Sequence, residues 1–265
     1  RGSIDWFDRQ SKDLLYNYTA PQPPFVYSNI LVNVGTTQNR GIELSVDGDI
    51  FKGTKVEWTS GINYSYGTTK LKVLSNTMYQ ASYVELYQKP GVGTSEYFFR
   101  IQEGGKVGQF YGYEYAGVED GKMLIYTDEG EKVPVSKADV KYKRHIGNGT
   151  PTSYLSWSNT LRYKNFDLTV DLQFVLGVDV YQQFLHSTED RFGIANALSS
   201  VLSEGWTPAN TNTMIPALYS QNSQPDSHWV ANGSYLRANL IQLGYTFEPS
   251  VLKALHLGSL RAYFS

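Results

Sequence analysis

The side chains that could carry out chemistry are few and far apart. The chain of 265 residues contains four histidines and no cysteine. Disulfide frameworks, Cys-ligated zinc, iron–sulfur clusters and thiol chemistry are therefore excluded. The histidines are His145, His186, His228 and His256, and none has a second histidine four residues away. A metal site needs further ligands at such a spacing, so the sequence predicts solvated loop histidines and no metal.

One short segment contains the residue types of a catalytic triad. Asp226, Ser227 and His228 are consecutive, but loop neighbours rarely face one another in the geometry that nucleophilic catalysis requires. No nucleophile elbow, phosphate-binding loop or dinucleotide fingerprint occurs, and the pair of glycines Gly91 and Gly93 is predicted to form a loop turn. The sequence therefore predicts neither an enzyme nor a cofactor.

Charge and hydropathy narrow the class of protein. The formal net charge is −2, from 23 Lys+Arg against 25 Asp+Glu, without a basic block. This near-neutral balance argues against a groove that binds nucleic acid, so the sequence predicts none. No run of 18 apolar residues is present, which excludes a transmembrane helix. A membrane-crossing β-strand passes this test, because only every second residue must be apolar.

The dominant pattern is apolar alternation with a period of two. Residues 166–176 place Phe, Leu, Val, Leu, Phe and Leu at every second position, separated by Asp167, Thr169, Asp171 and Gln173. Residues 155–163 alternate in the same way before a turn at 164–165, as do 42–51 and 56–66 around a turn at 52–53, then 241–247, 260–264 and 4–8. Only residues 191–203 suggest a helix. The pattern predicts an all-β fold with about seven long strands, the first and last running in the same sense.

Alternation fits either a soluble sandwich or a membrane barrel, and three features favour the barrel. The strand at 166–176 has the length that crosses an apolar band at a tilt near 45°. Aromatic residues lie near the ends of the apolar faces, where interfacial girdles form. Short turns alternate with long connections at 69–152 and 181–234, as in outer-membrane proteins. Because open edges are not tolerated in lipid, seven strands would be one arc of a larger wall.

This interpretation assigns faces to individual residues. The side chains predicted to face lipid are Leu168, Val170, Leu172 and Phe174. Those predicted to face the lumen are Arg162, Asp167, Thr169, Asp171 and Gln173. The polar set could be a cross-strand ladder that satisfies a wet interior, or it could tune the selectivity of a passage. The sequence leaves both open.

Several segments, in order, resemble SusC/RagA-type TonB-dependent outer-membrane transporters. The segments are Ile4–Arg9 with Lys12–Tyr16, Asn33–Gly35, Asn39–Leu44, Gly108–Tyr113, Trp206–Asn210 with Pro216, and Gly233–Arg237 leading to Leu243–Phe247. The resemblance implies a 22-stranded barrel, an N-terminal plug, a TonB-contacting segment and a SusD-like surface lipoprotein that acts as a lid. Residues 1–265 would be the C-terminal part of the barrel, with the plug and N-terminal strands outside this chain.

The resemblance implies import of an oligomeric nutrient, glycan or peptide, across the outer membrane. Substrate contacts are expected in the long loops, where aromatic rings and polar groups are mixed: Tyr79, Tyr83, Tyr111, Tyr113, Trp206, Tyr219, Asp226 and Trp229. These aromatic residues could instead pack the loops together or anchor the lipoprotein lid. The alternative function is a soluble all-β carbohydrate-binding module at the cell surface, which would fold in buffer without detergent.

Overall fold

Antiparallel strands make up more than half of the described residues. The computed structural model describes residues 1–19, 22, 26–53, 55–75, 80–88, 97–189, 196–217, 224–254 and 256–265. Its strands, in chain order, are β1 Gly2–Thr19, β2 Asn29–Phe51, β3 Val56–Val73, β4 Tyr83–Gln88, β5 Tyr97–Gln102, β6 Gln109–Gly112, β7 Tyr115–Glu119, β8 Lys122–Tyr126, β9 Lys132–Pro134, β10 Arg144–Asn148, β11 Ser153–Tyr163, β12 Phe166–Leu176, β13 Asp179–Tyr181, β14 Val230–Asn232, β15 Tyr235–Thr246 and β16 Arg261–Phe264.

Seven of these strands form one sheet in the order β1-β2-β3-β11-β12-β15-β16. Every neighbouring pair is antiparallel, so the first and last strands run in the same sense, as predicted. The turns at Lys52-Gly53 and Lys164-Asn165 are also confirmed. Gly53 and Lys164 have φ values of +71° and +52°, the left-handed conformation that tight hairpin turns use.

The sheet keeps the predicted alternation through a β-bulge at Asn239. Asp171 pairs with Leu240, whereas Leu172 pairs with Ala238, so Asn239 is the extra residue. The bulge places Leu236 and Ile241, five positions apart, on the same face. Without it, one half of β15 would present its polar residues to the apolar side.

The apolar face of this sheet is open. Trp6, Leu236, Ile241 and Leu243 are 69%, 58%, 57% and 50% exposed. In a soluble sandwich these side chains would pack against a second sheet. Their exposure contradicts that alternative and is what a lipid-facing wall requires. The fold is therefore confirmed as an all-β meander forming an arc of a large transmembrane barrel.

The long connections carry their own structure. One small sheet has the order β10-β6-β5-β4, a second joins β7, β8 and β9, and a third pairs β13 with β14. The buried cluster of Tyr113, Met123 and Ile125, with Val133 and Tyr142 packed around it, lies entirely within the first connection. That connection begins later than predicted, because β3 continues to Val73.

Helices are short. They are α1 Gln183–Glu189, α2 Ser199–Ser203 and α3 Pro249–Ala254, with 3₁₀ turns at Val135–Lys137, Val140–Tyr142 and Ser227–Trp229. Of the helix predicted over 191–203, residues 191–195 lie outside the described part, and α2 covers its end. The sequence pattern did not predict α1. No described helix has both the length and the apolar character needed to cross a membrane.

Candidate functional site

A cavity of about 330 Å³ lies against the polar face of the seven-stranded sheet, and its lining extends from β1 across β2, β3 and β11 to β12. Asp5 and Glu43, which are paired in register between β1 and β2, line this cavity together with Asn63 and Gln173. Tyr154 contributes an aromatic ring that is 47% exposed. The cavity therefore combines carboxylates, amides and one accessible ring, groups that can bind a polar oligomer.

Asp5, Glu43 and Tyr154 were not among the residues singled out from the sequence. Glu43 and Asp5 are polar residues of the predicted strands at 42–51 and 4–8, and they are paired in register between β1 and β2. Tyr154 lies one residue before the strand predicted at 155–163. Because Asp5 and Glu43 lie inside predicted strands, only Tyr154 required a strand to be extended, by one residue.

The residues predicted to face the lumen lie on this polar face. Thr169 is paired with Thr160 on β11 and Gln242 on β15, and Gln173 is paired with Ser156 and Arg237. Asp171 lies between them, opposite Ser158. Lumenal exposure of these side chains in a complete barrel stays a prediction.

Arg162 lies opposite Asp167, as predicted, but each of these residues lies close to a different charged partner. Arg162 and Asp167 are paired in register, but Asp167 accepts hydrogen bonds from Arg261 Nε at 3.1 Å and Nη2 at 2.5 Å. Arg162 instead lies 4.0 Å from Glu57 on β3. Arg261 belongs to the last strand, so sequence spacing gave no sign that it would reach β12.

The residues predicted to face lipid share the opposite face with apolar neighbours. Leu168 is flanked by Leu161 and Leu243, and Phe174 by Leu155 and Leu236. At the short-turn end, the rings of Phe166 and Tyr245 lie 4.8 Å apart. Trp6, Ile42 and Tyr66 form the last apolar row toward the long loops. The contact of these side chains with lipid stays a prediction for the individual residues.

Tyr83 and Tyr111, two predicted substrate contacts, enclose an arginine. The Arg100 guanidinium lies 3.9 Å from the Tyr83 ring centroid and 3.8 Å from that of Tyr111. Arg100 also donates to the Tyr111 hydroxyl at 2.7 Å and to Glu85 Oε1 at 2.5 and 3.1 Å. This stacked cluster stabilises the β4–β5–β6 sheet, and Tyr83 remains 44% exposed.

Three further predicted contacts are buried where the two long connections meet. Tyr113, Asp226 and Trp229 are 3%, 0% and 5% exposed. The Tyr113 N–H donates to the Pro225 carbonyl and the Ser227 N–H to the Tyr113 carbonyl, both at 2.9 Å. Asp226 accepts a hydrogen bond from the His228 N–H at 2.8 Å. These residues join the two loops, and direct contact with a substrate stays a prediction.

Around Trp229 the loops form a polar aromatic cluster. His186 stacks on Trp229 with centroids 4.8 Å apart, and its Nδ1 lies 2.6 Å from the Tyr181 hydroxyl. His228 Nε2 lies 3.3 Å from Glu189 Oε2. Burial, followed by the nearby carboxylates of Asp226 and Glu189, raises the pKa of the Tyr115 hydroxyl. This environment keeps Tyr115 protonated, which suits its hydrogen bond to the Met214 carbonyl.

The cluster around Trp229 is a packed core between the loops. Among the described residues, no three side chains of metal-ligating type come together. Two histidines predicted to be solvated, His186 and His228, are in fact packed against Trp229. Trp206 is half-buried beside Gly121, while Tyr79 and Tyr219 lie outside the described residues.

The comparisons with known proteins agree with this architecture. The chain is 28% identical over 279 residues to TonB-dependent receptor P3 of Formosa agariphila, covering 99% of this chain. It is 25% identical over 252 residues to TonB-dependent receptor SusC of Bacteroides thetaiotaomicron, covering 93% of this chain. The structure of the RagAB peptide transporter matches with a TM-score of 0.80 and 24% identity over 99% of this chain. No protein-family model matches.

The chain is similar to SusC- and RagA-type TonB-dependent receptors. The resemblance inferred from the sequence motifs is therefore confirmed. The chain spans 27% and 24% of the length of P3 and SusC, and 28% of the matched RagAB chain. These relatives are named as receptors and transporters, and none is named as an enzyme.

Proposed function

We propose that residues 1–265 form the C-terminal part of the barrel of a TonB-dependent outer-membrane receptor that imports an oligomeric nutrient. The observation that carries this proposal is the two-sided sheet, with an exposed apolar face and a polar face that lines a cavity. The similarity to SusC and RagAB supports the direction of transport. TonB would contact a part of the receptor other than these strands.

The partner at the long-loop end would be a SusD-like surface lipoprotein. Two of the matched structures are those of the RagAB peptide importer in an open-open and in a closed-closed state. In this chain the two long connections are joined through Tyr113, Pro225 and Ser227. A joined pair of loops presents one continuous surface, which a lid could bind as a unit.

The cargo would be a glycan or a peptide that binds along the polar face. Tyr154 offers a ring on which a sugar or an aromatic side chain can stack, and Asp5 and Glu43 can accept hydrogen bonds from hydroxyl or amide groups. Because these groups can bind either a glycan or a peptide, both classes of cargo are tested side by side.

The test is uptake in a strain from which the receptor gene is deleted and then restored. Fluorescent oligosaccharides and oligopeptides are supplied to cells that carry wild type, Tyr154→Ala or Tyr66→Ala. Tyr66 is 43% exposed, against 47% for Tyr154, and lies on the opposite face of the neighbouring strand. We expect the Tyr154 variant to lose uptake several-fold and the Tyr66 variant to retain it. Unchanged uptake of both cargo classes after deletion would refute the proposed function.

A further inference from the structure

Strands β1, β2 and β3 continue on the long-loop side beyond the apolar band. The last apolar row on the outer face is Trp6, Ile42 and Tyr66. The next row on that face contains Arg40, paired with Asp8 and Thr68, and the row after it pairs Gln38 with Lys70. Two residues advance about 6.6 Å along a strand. At a tilt near 45°, these rows lie about 5 and 9 Å above the apolar band. The first is within the headgroup layer and the second just beyond it, where a long lysine side chain can reach back toward the headgroups.

Three exposed cations, Arg40, Lys70 and Lys72, lie at this end of β2 and β3, and Arg40 and Lys72 act on the carboxylate of Asp8. Asp8 accepts hydrogen bonds from Arg40 Nε at 2.9 Å and from Gln38 Nε2 at 2.6 Å, and Lys72 is close enough to act on it electrostatically. Arg40 makes no other hydrogen bond within the described residues. These three cations and Asp8 together carry a net positive charge, and the Arg40 side chain is held in place while 58% exposed.

We propose that Arg40, Lys70 and Lys72 bind the phosphate groups of glycolipid headgroups in the outer leaflet. This inference rests on the proposed function, because it requires the long-loop end to face the cell exterior. A lipid fits this surface better than a protein, since the basic rows continue directly into the apolar row of Trp6 and Ile42. Acyl chains would lie against the apolar row while the phosphates reach the cations.

Arginine and lysine recognise phosphate in different ways at this site. Arg40 can offer the two terminal nitrogens of its planar guanidinium to one phosphate. Lys70 and Lys72 act as mobile point charges with long stems. The two kinds of cation together suit a headgroup with more than one phosphate.

The experiment uses the intact receptor that contains this chain, purified in detergent and freed of lipid. Binding is measured by native mass spectrometry with lipid A carrying two phosphates and with the same lipid after removal of both phosphates. The variants are Arg40→Gln alone and the triple variant Arg40→Gln/Lys70→Gln/Lys72→Gln. The matched control is Lys52→Gln/Lys55→Gln/Lys164→Gln, which removes three charges at the short-turn end. Heat-modifiable migration checks that each barrel is folded.

Wild type should bind the bisphosphorylated lipid much more tightly than the dephosphorylated one. The triple variant should lose about 100-fold in Kd for the phosphorylated lipid, at roughly fivefold for each cation, and the control should stay within about twofold. Equal binding of the two lipids by wild type would overturn the inference, as would equal losses in the triple variant and the control. Nutrient uptake by wild type is scored separately, so failure of uptake with lipid selectivity retained counts only against the proposed function.

Discussion

The variants Val170→Arg and Thr169→Arg test the two faces of the sheet at neighbouring positions of β12. β12 has 11 residues, which span about 36 Å along the strand and about 26 Å across the membrane at a 45° tilt. Val170 is one residue from the strand centre, or about 2 Å from the midplane on the same geometry. An arginine there should destabilise the barrel by about 2–4 kcal/mol.

Thr169→Arg places the same charge on the polar face. Its neighbours there are Asp167 and Asp171, two positions away on either side, so the new cation gains carboxylate partners. We expect a change below about 1 kcal/mol, as for an exposed ion pair. The assay is urea unfolding of the receptor in lipid vesicles, followed by tryptophan fluorescence and heat-modifiable migration. Equal destabilisation by the two variants would refute the assignment of faces.

Three further predictions concern the bulge and the loop core. Deleting Asn239 should leave assembly intact, because Ala238 and Leu240 would become consecutive and keep their present partners Leu172 and Asp171; outer-membrane fractionation measures this, and Asn239→Ala should also assemble normally. Trp229→Ala should loosen both long loops by about 3–5 kcal/mol, seen as faster amide exchange in β7–β8 as well as in α1, whereas exposed Leu202→Ala should change neither. Burial lowers the pKa of His145, so the unfolded loop takes up a proton first as the pH falls. Loop stability should therefore be full above about pH 6.5 and decline below it. Proteolysis at pH 7.5 and 5.5 measures this, and His145→Phe should reduce the difference.

Each of these predictions has an outcome that contradicts it. Loss of assembly in the Asn239 deletion would mean that the bulge itself, and not only the register on each side of it, is required. Amide exchange confined to α1 in Trp229→Ala would mean that Trp229 does not couple the loops. A pH difference that persists in His145→Phe would assign the titration to another group.

The strands of the sheet could be predicted because the alternation of apolar and polar residues that defines them is a local property of the sequence. Alternation in residues 155–163 and 166–176 fixes both the strands and their faces, and a short turn between them fixes the register. The bulge at Asn239 was not predictable, since it depends on pairing with Asp171 and Leu172 across the sheet. The same holds for the Arg261–Asp167 pair, which joins residues 94 positions apart.

The loop core was harder to predict for a different reason. Residues such as Tyr113, Asp226 and Trp229 have the composition of a binding surface, and sequence alone does not distinguish an exposed ring from a buried one. They are buried only because residues more than 100 positions apart, such as Tyr113 and Pro225, meet where the two connections come together. Conversely, Tyr154 lies on the polar face because β11 begins at Ser153, two residues before the strand predicted at 155–163, so the alternation includes residue 154.

Spin labels along β12 test most directly whether the apolar face meets lipid. The chain has no cysteine, so single cysteines at positions 167–174 can each carry a nitroxide in the intact receptor in vesicles. Collision with oxygen, which concentrates in acyl chains, should peak at 168, 170, 172 and 174, while collision with a water-soluble nickel chelate should be greatest at alternate positions. Oxygen and nickel accessibilities without this two-residue period, or with the opposite phase, would contradict the account.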